Sequence, residues 1–519
     1  MAHDTQHPSS ENFGFNKVCS LMCEDTIPFH MYRSVSSGIT VCIVELDDPI
    51  ITGYFNIVTE TLDDDGVPFA LQHLILSGSK EHPTKTNLNL WATRRLADNI
   101  VGYCLKDRTY FTMSADGSEA FLSLMPKYLD YIFYPSLEDS IYRRKIHHFD
   151  NDKHTGVLYC KQQKKEQTSS EIMTRTMFRA LYPESCGYKY VIGGTTKNLR
   201  ESTTLEKVKQ FHEKFYRPEN FTVLIMGKIE HCKIFQALLP LEKKLSLKKK
   251  NDIFKRPWQT SINQLTENVI VDVELPCSEK TNAEVYVAWR GPSVVTQMYE
   301  YHGCKLLVKY IVLLFNAKQL WMERSMPELY NENILPVNIK YDFFIHSVSI
   351  LRVRFSNVLG RIDLIKQSLD NEISKLCTTS IDMKIIRKLI RNIILERQCK
   401  LKSNPHAIIQ QSVFDHIVYG NTNDDLNERL NTIRQLKKLQ TESKTYFVNL
   451  AKTYFRDAPT VVVKGKPSSD EYRMVKNEKI YINKHIAKES IPTKILTSVP
   501  IPGIDSITFY QIENYTTET

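Results

Sequence analysis

The residues best suited to chemistry lie in the segment GVPFALQHLIL, residues 66–76, which has the apolar pattern of a helix after a Gly-Val-Pro turn. Residues four apart share a helix face, and two histidines at that spacing bind Zn²⁺ through their ring nitrogens. This segment carries one histidine, His73, and Phe69 stands four residues before it. Gln72 stands where a carboxylate would act as a base. The segment therefore indicates a zinc site, the remains of one, or an ordinary core helix.

Length and composition limit the class of protein. The chain has 519 residues, of which 42% are hydrophobic and 24% are charged. These values are typical of globular proteins, and this length predicts about two to four domains. The net charge of +9 is mild, and the basic residues are scattered apart from a run within residues 243–256. We interpret that run as a solvated linker and expect no nucleic acid partner.

The cysteines and the N-terminal residues indicate a compartment. The eleven cysteines include no CxxC pair. The first residues show neither the apolar core of a secretory signal nor an Arg-rich amphipathic pattern. No apolar run reaches the length of about 18 residues that marks a membrane helix. We therefore expect free thiols, a cytoplasmic location and no membrane segment.

The order of the predicted elements indicates two α+β domains. Runs of β-branched and aromatic residues at 39–48 and 51–61 predict strands, and helical patterns follow as far as residue 215. A lysine-rich stretch precedes a second series of strands and helices. We predict a tail, a first domain, a linker, a second domain and a connector, at residues 1–25, 26–245, 246–265, 266–460 and 461–519 respectively.

Several blocks of the sequence resemble the insulinase family of metallopeptidases, M16, and within it the presequence-protease-like subgroup. They include SADGSEAFLSLMPKYLDYIFYPSL, IHHFDNDKHTGVLY and AEVYVAWRGPS. The resemblance covers nearly the whole chain and corresponds to the N-terminal half of full-length relatives. It implies an α+β fold with two M16-type α/β-roll domains. Each would be a mainly antiparallel sheet covered by helices, as in one half of an M16 clamshell.

The resemblance implies that residues 66–76 correspond to the family's zinc-binding motif. The family's inverted motif, H-x-x-E-H, places two zinc-binding histidines and a basic glutamate on one helix. The first histidine corresponds to Phe69, the glutamate to Gln72 and the second histidine to His73. The family's distal glutamate ligand corresponds to Lys161, whose ammonium would repel a metal ion. We therefore predict a degenerate motif with no intact catalytic residue and no metal cofactor, although active relatives use zinc.

Other donor atoms lie close to the distal position in the sequence. His147, His148, His154 and Cys160 are the candidates for replacement ligands. In relatives, however, the His-His pair at 147 and 148 does not bind the metal. Cys160 is adjacent to the distal position on its element, so its side chain should point elsewhere. We therefore do not expect a rebuilt metal site.

Lys161 suggests a different replacement. Its ammonium could occupy the space of the missing metal, near Gln72 and His73 and paired with Glu166. Buried cations need such partners, because an unpaired buried charge is costly. The alternative, in which Lys161 points into solvent, is equally consistent with the sequence.

The resemblance also indicates a peptide-contact strand. Active relatives pair an extended substrate with an edge strand, and the corresponding residues here are Val101, Gly102, Tyr103 and Cys104. The aromatic residue is retained, whereas the amide side chain of the relatives is lost. Strand addition depends mainly on backbone groups, so the site remains suited to an extended peptide. The second half of active relatives supplies an Arg and a Tyr, so we expect a protein partner that provides this half, or a homodimer.

Three functions follow from these features. The chain could be a catalytically inactive M16 homologue that acts as a peptide-binding or structural partner subunit. It could instead be an active zinc-dependent peptidase with non-standard ligands or a partner-supplied half. It could also be a degenerate duplicate with no role beyond folding. We favour the first, because two of the three metal ligands and the base are missing.

Overall fold

A computed structural model describes residues 13–82, 86–98, 100–150, 153–246, 253–259, 262–276, 283–325, 337–378 and 381–468. Parts of the predicted tail, linker and connector lie outside these ranges. Within the described ranges, strands and helices alternate through two large sheets. None of the helices in this part of the chain combines the length and apolarity that crossing a bilayer requires.

The first half of the chain builds a seven-stranded sheet and a small hairpin. Its strands are β1 (Phe15–Cys23), β2 (Ile27–Ser34), β3 (Thr40–Val44), β4 (Ile50–Val58), β5 (Val101–Cys104), β6 (Arg108–Asp116), β7 (His148–Asp150), β8 (Lys153–Thr155) and β9 (Phe221–Met226). The sheet order is β1-β2-β3-β9-β4-β6-β5, and β7 pairs with β8. Neighbouring strands are antiparallel except β3 and β9, which are parallel. β5 is therefore at one edge of the large sheet.

The first half of the chain also contains helices. They are α1 (Val67–Ile75), α2 (Thr86–Arg94), α3 (Ser118–Phe133), α4 (Asp139–Lys145), α5 (Val157–Glu166), α6 (Ser169–Leu181), α7 (Thr196–Glu201), α8 (Leu205–Phe215) and α9 (His231–Ser246). α3 and α9 pack against each other, and their buried apolar residues join those of the sheet in one core. α1 contacts both α8 and the edge strand β5, which brings the predicted metal helix beside the predicted peptide strand.

The second half builds a five-stranded sheet. Its strands are β10 (Val269–Pro276), β11 (Glu284–Ser293), β12 (Asn338–Phe344), β13 (Val348–Ser356) and β14 (Thr460–Ser468), in the order β10-β14-β11-β13-β12. β10 and β14 are parallel, and the other neighbours are antiparallel. Its helices are α10 (Met298–Ser325), α11 (Leu364–Thr378), α12 (Met383–Ser403), α13 (Pro405–Tyr419), α14 (Asn423–Leu430), α15 (Thr432–Thr441) and α16 (Lys444–Ala451). The predicted α+β class is confirmed.

One helix from each half of the chain packs against the sheet of the other half. α6 packs on β10 and β14 of the second sheet, and α13 packs on β4 and β9 of the first. A buried ion pair joins β6 to α13, where Arg108 Nη2 donates to Asp415 Oδ1 at 3.1 Å. The buried hydroxyls of Tyr188 and Tyr419 lie 2.8 Å apart beside it. The halves therefore share buried polar and apolar contacts, which makes them one packed unit.

The sheets extend past two boundaries predicted from the sequence. Phe15–Cys23, within the predicted tail, forms β1 and pairs antiparallel with β2. Thr460–Ser468, largely within the predicted connector, forms β14 between β10 and β11. β1 is an edge strand with many exposed side chains, so its hydrophobic alternation is weak. The partners of β14 are distant in sequence, and local patterns do not report such pairing.

Candidate functional site

The predicted degenerate motif lies on α1, which begins at Val67, within the Gly-Val-Pro turn and two residues before the predicted start. Gly66 precedes the helix with a positive φ of 71°, and Pro68 occupies the first turn, where its missing N–H has no cost. A Cβ at Gly66 would stand 2.6 Å from the backbone of Gly193, so glycine is required there. The helix buries Leu71 and Leu74 in the core of the first sheet. This packing fixes the direction of the motif residues.

Asp65 anchors the start of this helix. Its carboxylate accepts hydrogen bonds from Lys207 Nζ at 2.5 Å, Ser202 Oγ at 2.5 Å and Asn198 Nδ2 at 2.8 Å. Burial raises the pKa of Asp65, but these hydrogen bonds and the charge of Lys207 outweigh it and leave the pKa below its ordinary value. The carboxylate is therefore ionised at neutral pH and ties α1 to α7 and α8.

Phe69 lies between an imidazole and an ammonium. Its ring centre is 4.8 Å from the ring centre of His73, in an edge-on arrangement at 75°. Lys161 Nζ lies 4.8 Å from the centre of the same ring. That distance is within the range of a cation–π interaction. The two positions that the resemblance assigns to the first and distal ligands are thus in contact, as an aromatic ring and a lysine.

The structure corrects the hypothesis that Lys161 pairs with Glu166. The Glu166 carboxylate instead accepts from Arg175 Nη1 at 3.1 Å and from the Thr196 amide at 3.0 Å. Lys161 is exposed on α5 and contacts α1 through Phe69. The structure therefore agrees with the alternative in which Lys161 is exposed to solvent, with its ammonium over the Phe69 ring.

Gln72 is buried and packs against the edge strand. A Cβ at Gly102 would stand 2.2 Å from Gln72 Nε2, so only glycine leaves room for this side chain. Gln72 and Gly102 belong to separate motifs in the sequence, and the fold brings them together. An amide cannot accept a proton near neutral pH, so Gln72 cannot serve as a general base.

The outer edge of β5 carries unpaired backbone groups. Leu105 N donates to Arg108 O at 2.8 Å in the turn that joins β5 to β6. Bonding alternates along an antiparallel ladder, so the N–H and C=O groups of Gly102 and Cys104 point away from β6. No other strand in the described residues pairs with this edge. The side chains of Val101 and Tyr103 are 46% and 45% exposed.

The residues at the motif do not fit zinc. A catalytic zinc site needs three protein ligands, and here the corresponding side chains are Phe69, His73 and Lys161. In the described residues, the one group of three His, Cys, Asp or Glu ligands close enough for a metal lies elsewhere, at β2, after β3 and at the start of α9. No step of peptide hydrolysis can be derived from α1 as it stands.

The candidate replacement ligands near the distal position contact each other or the backbone. His147 Nε2 and His154 Nδ1 are 2.9 Å apart, and His148 Nδ1 lies 3.0 Å from the carbonyl oxygen of Arg143. Burial, helped by the charges of His154, His148 and Arg200, lowers the pKa of His147 to about 4. The His147 ring is therefore neutral at physiological pH. Cys160 is buried on α5.

Comparison with known proteins agrees with this architecture. The family model described as the Peptidase M16 inactive domain matches residues 202–318. The first half of the periplasmic protease PqqL from Escherichia coli superposes with a TM-score of 0.64 at 11% identity, covering 90% of this chain and 100% of that one. Residues 202–318 are therefore similar in sequence to an M16 peptidase domain, and the chain has the fold of an M16 protease half.

Sequence relatives extend the comparison. Uncharacterized protein C05D11.1 of Caenorhabditis elegans is 30% identical over 449 residues, which cover 86% of this chain and 44% of the relative. Presequence protease 1, chloroplastic/mitochondrial, of Arabidopsis thaliana is 26% identical over 235 residues, which cover 43% of this chain and 21% of the relative. The chain therefore spans about half the length, or less, of these curated relatives.

Proposed function

We propose that this chain is a catalytically inactive M16 half that binds an extended peptide segment along the outer edge of β5. The observation that carries the proposal is the position of the Phe69 ring, 4.8 Å from both the His73 ring centre and Lys161 Nζ. A ring and an ammonium offer no lone pair to a metal ion. The scaffold is retained while its metal chemistry is lost.

Peptide binding needs none of the missing groups. An extended segment adds to a sheet edge through main-chain hydrogen bonds, and side chains beside the edge select the sequence. The outward N–H and C=O groups of Gly102 and Cys104 can form such bonds. Val101 and Tyr103 are exposed beside them. A bound strand would also cover the unpaired edge, which otherwise favours aggregation.

The bound segment could belong to a protein partner. The whole periplasmic protease PqqL, a structural neighbour, is matched over 52% of its length. By analogy, we propose that this chain functions beside a second M16 half, supplied by another protein or by a second copy. Because all ten cysteines in the described residues are free thiols, a reducing compartment such as the cytoplasm suits this role.

Fluorescence anisotropy with a labelled, unstructured 20-residue peptide lacking proline tests the β5 edge. Two double variants make a matched pair, Gln72→Ala with Gly102→Ala and Gln72→Ala with Gly102→Pro. Removal of the Gln72 side chain makes room for either residue, and proline alone lacks the outward N–H. An edge strand tolerates proline where its N–H faces outward, so both variants should fold.

We expect the alanine pair to bind the peptide like the unmodified chain, and the proline pair to bind at least about tenfold more weakly, since one main-chain bond is lost. Equal binding by the two variants would contradict docking at β5. Absence of binding by the unmodified chain would contradict peptide binding as a whole. Circular dichroism of each variant checks that the fold is retained.

A further inference from the structure

Two histidines and a glutamate lie close together toward the edge of the first sheet that is opposite β5. His30 Nε2 lies 3.0 Å from Glu45 Oε1, and His231 Nε2 lies 3.3 Å from the same oxygen. The three ligand atoms are within 4.8 Å of one another. His30 is on β2, Glu45 follows β3, and His231 begins α9. Three separate elements therefore contribute one donor atom each.

The backbone holds these donors in place. The Glu45 amide donates to the Pro28 carbonyl oxygen at 3.0 Å, which extends the pairing of β2 with β3 beyond the last paired strand residues. α9 is packed on the same side, where Phe235 meets the Tyr32 ring edge-on with centres 4.9 Å apart. The site is thus supported by a strand pair and by a helix packed in the core.

We propose that His30, Glu45 and His231 bind Zn²⁺. Two imidazoles and a carboxylate form one of the three-ligand sets found in zinc sites that keep a fourth position open. Donor atoms on a tetrahedron with zinc bonds near 2.0 Å are about 3.3 Å apart. The two nitrogen-to-oxygen distances, 3.0 and 3.3 Å, already match that separation. The Glu45 side chain is 49% exposed, so the cluster is accessible from solvent.

The other nitrogen of each imidazole has a hydroxyl partner. Ser20 Oγ lies 2.9 Å from His30 Nδ1, and Tyr32 Oη lies 3.0 Å from His231 Nδ1. A hydroxyl oxygen can accept a hydrogen bond from Nδ1–H. The ring then carries its proton on Nδ1, and Nε2 has a lone pair available for a metal ion. Outer hydrogen bonds of this kind orient the rings of zinc-binding histidines.

The surrounding charges are mixed. Lys17 Nζ lies 5.6 Å from the centre of the Tyr32 ring, and its charge opposes a cation nearby. Glu45 supplies the negative charge within the donor set. The cluster is therefore suited to one divalent ion held mainly by imidazoles.

This cluster is separate from the degenerate motif. Four strands lie between β2 and the edge strand β5. At the usual spacing between strands, β2 and β5 are on the order of 20 Å apart. Zinc at His30, Glu45 and His231 would join β2, β3 and α9 and would stabilise the fold. It would not restore the chemistry of α1, so the zinc proposal stands or falls apart from the peptide proposal.

Competition titration tests the site directly. The purified full chain, treated with EDTA and desalted, is titrated with Zn²⁺ against a chromophoric chelator. We expect one equivalent of zinc, with an affinity at least tenfold lower in Glu45→Gln and in His231→Gln. Tyr32→Phe should weaken binding about tenfold, as is usual when an outer hydrogen bond to a ligand is lost. The matched control, His147→Gln with His154→Gln, removes another close histidine pair and should leave the affinity unchanged.

Two outcomes overturn the proposal: no competition with the chelator, or zinc uptake that is unchanged by Glu45→Gln and His231→Gln. Co²⁺ gives a second readout that needs no variant. Titration of the unmodified chain should produce the intense visible absorption of tetrahedral cobalt, which excess Zn²⁺ removes. A Co²⁺ spectrum no different from that of the aqueous ion would also overturn it. Zinc should raise the Tm of the unmodified chain but not that of Glu45→Gln.

Discussion

The Lys161 ammonium lies 4.8 Å from the centre of the Phe69 ring, so two of the positions that the sequence resemblance assigns to metal ligands contact each other directly. A cation over an aromatic ring is a favourable contact. Gln72, which the resemblance assigns to the base position, packs under Gly102 of the edge strand. The region of the predicted motif is therefore a packed contact between α1, α5 and β5.

Restoring the ligands should restore the metal. We predict that Phe69→His, Gln72→Glu and Lys161→Glu together, in a Glu45→Gln background, bind one equivalent of zinc. The helix would then carry two imidazoles four residues apart, with a carboxylate on α5 facing them. Inductively coupled plasma mass spectrometry after gel filtration measures the metal content. Glu45→Gln alone is the control and should be metal-free. A folded variant without zinc would show that α1 and α5 no longer have the ligand geometry.

The contact of Gln72 with Gly102 should make position 102 intolerant of a side chain. Gly102→Ala places a Cβ where Gln72 Nε2 now lies, and such overpacking costs about 1–3 kcal/mol. Urea denaturation measures the free energy of unfolding. Adding Gln72→Ala should recover most of the loss, because the obstructing side chain is gone. Equal destabilisation in the single and double variants would contradict this contact.

The buried pair of Arg108 and Asp415 should contribute to the joining of the two halves. Asp415→Ala leaves the Arg108 guanidinium buried with Asp107 as its remaining partner, at 3.3 Å. Breaking a buried pair in this way costs about 3–5 kcal/mol. The control, Asp139→Ala, breaks the exposed pair with Arg143 and should cost about 0.5 kcal/mol or less. Similar unfolding free energies for the two variants would argue against a structural role for the buried pair.

The ionised Asp65 carboxylate should make the free energy of unfolding decrease at acid pH. Its pKa is below the ordinary value in the folded chain, so its contribution to stability is present above the unfolded pKa of about 3.9. That contribution is lost as the pH falls through the lower folded pKa. We predict that Asp65→Asn loses more stability at pH 6 than at pH 3, as measured by urea denaturation. Lys207→Gln should shift the pH dependence in the same direction. The same loss at both pH values would exclude an ionised anchor.

The general architecture could be predicted from the sequence because it depends on local patterns. The apolar runs at residues 39–48 and 51–61 coincide with β3 and β4, and the Gly-Val-Pro turn marks the start of α1. The placement of the predicted motif on a helix, and of residues 101–104 on an edge strand, followed from the family resemblance.

The contacts within the sites could not be predicted, because they depend on sheet order and helix packing. Gln72 meets Gly102 only because β5 lies at the sheet edge beneath α1. Likewise His30 and His231 lie about 200 residues apart in sequence and meet through β2 and α9. The sequence separation within each pair matches no known motif. A correct prediction of the register between β2 and β3 would have indicated that His30 and Glu45 lie close together.

The most direct measurement of catalytic inactivity is cleavage of an unstructured peptide by the purified chain with added Zn²⁺, followed by mass spectrometry. We predict that the peptide is recovered intact after prolonged incubation, because Gln72 provides no base and Phe69 and Lys161 provide no ligand. Cleavage that requires zinc, stops with chelator and is lost in His73→Ala would contradict inactivity and assign a peptidase site to α1.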